Sequence, residues 1–150
     1  MREGAMTEKE FLALGPREQD AAVAIARGEE EPIWTLMKGE WVGTIFNVLS
    51  RDECSPNEDH GLLGWLKEGG LGVSVVPFFV TDIATAWELV KEMRGEGWMF
   101  CLDDLGFDGE MWRVRFDKDR DVSDEWHIGE HDDEKVAISI AYMKAKGAIT

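Results

Sequence analysis

Apolar residues recur at helical spacing in the middle of the chain, between two short apolar runs. They predict one face of a helix, formed by Ile83, Ala86, Trp87, Val90 and Met93. Thr81 or Asp82 can cap the start of this helix, because either side chain can accept a bond from a free backbone N–H. Gly95 or Gly97 would end it. The whole stretch, Pro77–Leu102, therefore indicates a strand, a helix and a second strand.

Two further helices are predicted near the beginning of the chain, within residues 7–28. Thr7 and Glu10 form a capping-box pattern ahead of apolar residues, so a short helix is expected to begin there and to end at Gly15. Pro16 suits the first turn of a second helix, and Gly28 suits its end.

Extended segments are predicted where β-branched and alternating residues occur. One strand is expected at Trp41–Phe46, and a second extended segment at Val73–Val80. Trp98–Leu102 and Met111–Phe116 are separated by turn residues, so they predict an antiparallel hairpin.

Two segments are predicted to be loops. Residues 51–72 are rich in Gly, Asp and Glu, and are expected to form a long loop with a short helical piece at Leu62–Lys67. Asp117–Gly129 is expected to be an acidic loop. A final helix should start near Asp132 or Asp133, with acidic residues at its positive end, and stop at Gly147.

These elements predict a mixed fold in the order α-α-β-loop-β-α-β-β-α. Helices on both sides of a sheet would bury all of the apolar stripes in one core. The expected fold class is therefore α+β, a three-layer α/β/α sandwich around a small, mostly antiparallel sheet. At 150 residues the chain is expected to be a single domain, 1–150.

The chain is strongly acidic, with a formal net charge of -15. Disorder is not expected, because 44% of the residues are hydrophobic and seven are Trp. The segment 103–134 alone holds thirteen acidic and four basic residues. Such a field repels phosphates, so nucleic-acid binding is not expected; it favours a basic partner, a cation, or simply solubility.

Other classes of protein are also disfavoured. No stretch reaches the ~18 apolar residues of a membrane span, and the N-terminal sequence lacks the pattern of a secretion signal. Two cysteines, Cys54 and Cys101, are too few for a disulfide framework. We therefore expect an intracellular protein without a membrane partner.

Three stretches carry a family pattern: LALGPREQDAAVAIARG at Leu12–Gly28, VPFFVTDIATAWELVKEMRGEGWMF at Val76–Phe100, and the final helix at Asp132–Gly147. The most specific part is TDIATAWELV at Thr81–Val90, followed by Gly97 and Trp98. Together they resemble the phage ABA sandwich domain family of small phage and prophage proteins. Family members tend to carry Ser where this chain has Val80. The resemblance implies an α/β/α sandwich with its core at about residues 73–147 and a phage or prophage origin, but no activity and no catalytic residues.

Few residues suggest metal or catalytic chemistry. His127 and His131 are four apart, but Gly129 between them and the predicted loop argue against the helical spacing of a zinc site. Asp117-x-Asp119-x-Asp121 begins like a calcium loop but lacks its Gly and Glu. Cys101 is expected to be a small buried hydrophobe. No catalytic residue, metal or cofactor is therefore assigned.

Aromatic and basic residues provide the candidate binding positions. Trp34, Trp41, Trp65 and Trp126 fall near predicted loops or segment ends, where aromatic residues form either binding surfaces or satellites of the core. Arg113 and Arg115 alternate with apolar residues along a predicted strand, and would make its other face basic.

The preferred hypothesis is a non-enzymatic phage or prophage accessory protein in the cytoplasm of an infected bacterial host. It would bind a host or phage protein that has a basic surface, and would inhibit host antiviral defence. One alternative is a binder of a nucleotide-like signal, with Trp65 and Trp126 stacking on a base. Another is a metal-dependent hydrolase that uses Asp103, Asp104, Asp108, His127 or His131. A structural phage component and a DNA mimic also stay open, as does the oligomeric state.

Overall fold

The structure is a computed structural model of the chain. It describes residues 5–42, 45–50, 61–66, 73–106, 111–118 and 125–150, and the backbone alone at residues 33–42, 45–50, 61, 62, 66 and 73. The described helices are α1 (Glu8–Ala13), α2 (Pro16–Ala26), α3 (Ile83–Gly95) and α4 (Glu134–Ala145). The described strands are β1 (Ile33–Val42), β2 (Ile45–Ser50), β3 (Gly61–Leu66), β4 (Val73–Val75), β5 (Trp98–Asp104), β6 (Trp112–Lys118) and β7 (Trp126–His131). The predicted mixture of helices and antiparallel strands is therefore confirmed.

The chain divides into two compact units. Met1–Gly28 and Phe78–Thr150 form the helical unit, which contains all four described helices and β5–β7, whereas Glu29–Pro77 forms the strand unit, which contains β1–β4. The expectation of a single domain stays a prediction, because compact units are not by themselves independently folding domains.

The strand unit is a four-stranded antiparallel sheet in the order β2-β1-β3-β4. Its strand β3 corrects the prediction for residues 51–72, since Gly61–Leu66 is extended where a short helical piece was expected. Gly64 pairs with Ile33 on one side and with Val75 on the other. A run of six residues is too short for periodicity to distinguish a helix from a strand. Pairing with β1 and β4 determines that this segment is a strand. The rest of 51–72 lies outside the described residues.

The helical unit contains a three-stranded antiparallel sheet in the order β5-β6-β7. Helix α3 packs on β5, α4 packs on β6 and β7, and the two helices pack on each other. Both helices lie on the same sheet face, because Trp87 of α3 contacts Phe100 and the backbone of α4 approaches Gly129. Helix α2 in turn contacts α4 and α1. The three-layer α/β/α arrangement is not confirmed.

The predicted hairpin is confirmed as β5 and β6, but the predicted loop at Asp117–Gly129 is wrong at both ends. Strand β6 continues to Lys118 and β7 begins at Trp126, and residues 119–124 lie outside the described part. The sequence WHIGEH has mixed strand propensity, because Trp126 and Ile128 favour a strand whereas Gly129 and Glu130 do not. Gly129 allows α4 to pack closely on this strand, because a Cβ at that residue would meet the backbone of α4 at Ala137 and Ala141.

The two N-terminal helices are confirmed, and side chains explain their ends. Thr7 accepts from the backbone N–H of Glu10 at 3.1 Å, and the Glu10 carboxylate accepts from the backbone N–H of Thr7 at 3.4 Å. Gly28 follows α2 with φ +100°, a conformation that side chains disfavour.

Helix α2 is tied to the start of the α3 region by a buried acid. Asp20 is 0% exposed, accepts from the backbone N–H of Val80 at 2.9 Å, and pairs with Arg17 at 2.6 Å. Burial raises the pKa of Asp20, in opposition to the bonds from Val80 and Arg17.

Helix α3 is confirmed, although its predicted apolar face is rotated. Asp82 caps it by accepting from the backbone N–H of Ala84 at 3.3 Å, and a hydrogen bond from Thr85 lowers the pKa of Asp82. The buried positions are Ala86, Leu89, Val90 and Met93. Ile83 and Trp87, expected in the core, are 47% and 39% exposed. The rings of Trp87 and Phe100 meet edge to face with their centroids 5.3 Å apart. Part of the Trp87 ring stays in solvent.

Helix α4 is confirmed and is the centre of the helical unit. Every residue from Val136 to Met143 is buried, and Asp133 caps the helix by accepting from the backbone N–H of Lys135 at 2.9 Å. Burial all round explains why its sequence is apolar beyond a single stripe. Among the described residues, no helix is long and apolar enough to cross a membrane.

Candidate functional site

The strands β5, β6 and β7 present two faces of different character, because successive residues of a strand point to opposite sides. One face lies under α3 and α4 and carries the buried side chains of Val114 and Phe116. The other we call the open face. It holds three rows of directly paired residues: Met99, Asp117 and Trp126; Cys101, Arg115 and Ile128; and Asp103, Arg113 and Glu130.

One end of the open face is apolar and exposed. Trp126 is 56% exposed and Met99 is 49% exposed, and they lie on the outer strands on either side of Asp117. Directly paired Cβ atoms of neighbouring strands lie about 4.5–5.5 Å apart, so Met99 and Trp126 each lie next to Asp117. Ile128, two positions along from Trp126, is half-buried and continues the apolar surface on β7.

The arginines of the open face are already matched with carboxylates. Arg113 donates through Nε to Glu130 Oε1 at 2.9 Å, and Arg115 Nε lies 2.8 Å from Asp117 Oδ2. An anionic ligand would have to displace these partners. The arrangement therefore fits a surface of balanced charge better than a phosphate pocket.

Cys101 lies on the open face and is half-buried, whereas the sequence predicted a fully buried thiol. Its Sγ is 3.7 Å from both carboxylate oxygens of Asp103. The described histidines on β7, His127 and His131, lie on the opposite face. No described histidine is thus placed to activate this thiol.

The two histidines belong to a strand and not to the predicted loop. Four residues of strand separate them by about 13 Å, too far for both to bind one metal ion. His127 lies 3.3 Å from Glu125 and packs against Trp98, while His131 accepts from the backbone N–H of Asp133 at 3.0 Å. No cluster of His, Cys, Asp and Glu among the described residues could hold a metal ion.

The structure brings together three of the six predicted binding residues. Trp126, Arg113 and Arg115 share the open face. Trp65, in β3, is half-buried and donates through Nε1 to the backbone oxygen of Glu30 at 2.8 Å, which makes it a structural anchor of the strand unit. For Trp34 and Trp41 the backbone places both in β1, and their side chains lie outside the description.

Sequence reasoning missed Met99, Ile128 and Glu130 as members of this surface. Met99 alternates with Trp98 and Phe100, a signal that could have been used once the hairpin was predicted. Ile128 and Glu130 lie on β7, whose strand character was not predicted, so no local signal assigned them to a face.

A second polar cluster joins three helices of the helical unit. Tyr142 of α4 donates to Glu92 of α3, whose other oxygen pairs with Arg27 at 3.1 Å. Lys146 pairs with Glu96 at 2.8 Å and lies 3.7 Å from Glu92. Burial, followed by the Glu92 bond, raises the pKa of Tyr142 well above its usual range. Cations and anions are balanced here, so we interpret the cluster as a link between helices.

Comparison with known proteins adds no relative: no family model, no curated protein and no solved structure matches the chain. Membership of the phage ABA sandwich family therefore stays a prediction from the sequence.

Proposed function

We propose that the chain is a non-enzymatic binding protein that docks another protein on its open face. The observation that carries this proposal is the exposure of Trp126 and Met99 at one end of a face whose arginines are paired with acids. Tryptophan and methionine are enriched in the centres of protein interfaces. A tryptophan that is 56% exposed stabilises the isolated fold little, so burial by a partner gives it a role.

The partner is proposed to be a protein with a basic surface. The net charge of -15 would speed the encounter with such a surface and would repel nucleic acid. On the open face itself Asp117 and Glu130 are paired with arginines, so Asp103 is the acidic group there that has no cationic partner among the described residues.

The biological setting rests on the sequence resemblance alone. It supports a phage or prophage accessory protein with an α/β/α sandwich that acts in the cytoplasm of an infected bacterium, against a host or phage protein. Inhibition of host antiviral defence is the role proposed in that setting.

The two alternative functions have less support from the described residues. A nucleotide-like signal would need free cations, and both arginines of the open face have acidic partners. A metal-dependent hydrolase would need clustered ligands. Asp103 lies on the open face, Asp104, His127 and His131 lie on the covered face, and Asp108 lies outside the described residues. No cluster that could hold a metal ion occurs in the described part of the chain.

Site-specific crosslinking would test the proposal. A photoreactive amino acid placed at Trp126 should crosslink one identifiable protein in a lysate of the natural host, with the crosslink mapped to a single surface of it. The same probe at Leu12, an exposed residue of α1, serves as the control. Equal yields of the same products from both positions would contradict docking on the open face.

Substitution of the same residue gives the quantitative test. Trp126→Ala should weaken binding to the identified partner by about tenfold or more, as expected for a buried interface anchor. The control Leu12→Ala should leave the affinity within about twofold. Unchanged affinity in Trp126→Ala would remove the open face from the interaction.

A further inference from the structure

The two edges of the β5-β6-β7 sheet are protected differently. On β7, Lys144 of α4 donates through Nζ to the backbone oxygen of Ile128 at 2.9 Å, which occupies one outward group of that edge. On β5, no described side chain bonds to the backbone of Trp98–Asp104. Unpaired backbone groups on an edge strand are a template for another strand.

The hydrogen-bond alternation identifies the outward residues of β5. Lys118 donates its backbone N–H to Glu125 on the β7 side, and Leu105 donates to Met111 on the β5 side. Since backbone groups alternate in direction along an antiparallel strand, Arg113, Arg115 and Asp117 bond to β5.

The partners of those three residues on β5 are Asp103, Cys101 and Met99. The residues between them, Phe100 and Leu102, therefore direct their N–H and C=O groups away from the sheet.

Apolar side chains flank this edge on both faces. Leu102 is 39% exposed on the covered side, where Trp87, also 39% exposed, lies against Phe100. Met99 is 49% exposed on the open face. An added strand would thus bury apolar surface above and below its backbone.

The far end of β5 is acidic. Asp103 and Asp104 are both exposed, and no described cation lies within ion-pair distance of either. Their side chains point to opposite faces, because they are consecutive in a strand. Two consecutive basic residues of an added strand would meet them, one on each face.

We propose that β5 takes an antiparallel strand of the partner protein, in which two consecutive basic residues precede alternating apolar residues. The basic pair lies opposite Asp104 and Asp103, and apolar residues lie opposite Leu102 and Phe100. This inference rests on the proposed function, since it names the part of a protein partner that the sheet recognises. The residues of the docked strand that lie opposite Cys101 and Met99 then extend the open face beyond β5.

A synthetic peptide tests the recognition directly. The probe has two arginines followed by alternating valine and threonine, with a fluorescent label, added at up to about 1 mM, the weak end of specific affinity. We expect saturable binding with a Kd of about 0.1 mM or lower, so that about 1 mM peptide slows hydrogen exchange at the backbone N–H groups of Phe100 and Leu102 by about tenfold or more. Exchange on β7 should not change. Methylation of the peptide nitrogens that face β5 should abolish binding, and methylation of the alternate nitrogens should not.

Charge reversal tests the acidic end. Asp103→Lys with Asp104→Lys should weaken peptide binding by about tenfold or more. The control pair, Glu88→Lys with Asp132→Lys, changes the net charge equally at exposed positions off the β5 edge and should have an effect of no more than about twofold. Equal losses in both pairs would mean that only net charge is sensed, and would overturn the proposal.

A proline variant tests the backbone without relying on charge. Leu102→Pro removes an outward N–H and no bond to β6, so the sheet should persist while peptide binding is lost. Leu102→Ala keeps the N–H and should bind. If Leu102→Pro unfolds, the methylated peptides still decide the point on the unaltered chain. If the peptide still bound after methylation of the nitrogens that face β5, strand addition would be contradicted.

Failure of this inference can be told apart from failure of the proposed function. A partner that needs Trp126 but tolerates lysine at Asp103 and Asp104 docks on the open face and not at the edge. A partner indifferent to Trp126 but sensitive to those lysines uses the edge without the open face.

Discussion

The two faces of the β5-β6-β7 sheet are made from the same strands but differ in their surroundings. One face packs against helices and the other is exposed to solvent. The covered face carries Val114 and Phe116, both 0% exposed, and Gly129, over which the backbone of α4 passes. The open face carries Trp126 at 56% exposure and arginines in ion pairs. Alternate residues of one strand thus serve the core on one side and solvent on the other.

This difference shows where a function can be sought. Side chains on the covered face are explained by packing, which would be lost if they changed. Packing does not explain a large exposed tryptophan on the open face. A chain that only had to fold and stay in solution could carry smaller polar residues there, so the open face is where binding is inferred.

The largest effect should come from the core side of β6. Phe116→Ala removes a fully buried ring whose centroid lies 5.7 Å from that of Phe100. It should lower the free energy of unfolding by about 3–5 kcal/mol. Met99→Ala, on the open face of the paired strand, should lower it by no more than about 1 kcal/mol. Urea denaturation followed by tryptophan fluorescence measures both. Similar losses in the two variants would mean that the open face is part of a core.

Helix ends were predictable from the sequence because their signals are local. Thr7 and Glu10 cap each other within one turn, and Asp82 caps α3 through bonds to residues two and three positions away. Such contacts form whatever the rest of the chain does. The hairpin at β5 and β6 was predictable for the same reason, since its turn residues lie between the strands.

Elements that depend on distant partners were not predictable. Strand β7 has a sequence of mixed strand propensity and exists where α4 packs on Gly129 and β6 supplies the ladder. Strand β3 likewise depends on β1 and β4. Alternation along one predicted strand gave Arg113 and Arg115 a common face, but the place of Trp126 on that face follows from the register of β7, and that register is a tertiary property.

A smaller effect is expected at the contact between sheet and helix. A Cβ added at Gly129 would lie 2.7 Å from the backbone nitrogen of Ala141 and would also meet the backbone oxygen of Ala137. Backbone atoms cannot move as a side chain can, so Gly129→Ala should cost about 1–3 kcal/mol in thermal or urea unfolding. Its neighbour on the open face, Glu130→Ala, should change stability by no more than about 0.5 kcal/mol. A neutral Gly129→Ala would show that α4 is not seated on β7.

The smallest effect is expected when the ion pair between Arg113 and Glu130, at the charged end of the open face, is removed. Arg113 and Glu130 lie 2.9 Å apart but remain 40% and 45% exposed, so water screens their attraction. A double-mutant cycle of Arg113→Ala and Glu130→Ala should give a coupling energy of about 0.2–1 kcal/mol, smaller still in 1 M salt, where charges are screened within about 3 Å. A coupling above about 2 kcal/mol that salt does not reduce would mean that these groups are desolvated in the free protein. The open face would then belong to the fold as fully as the covered face does, and the reason for seeking a partner there would be lost.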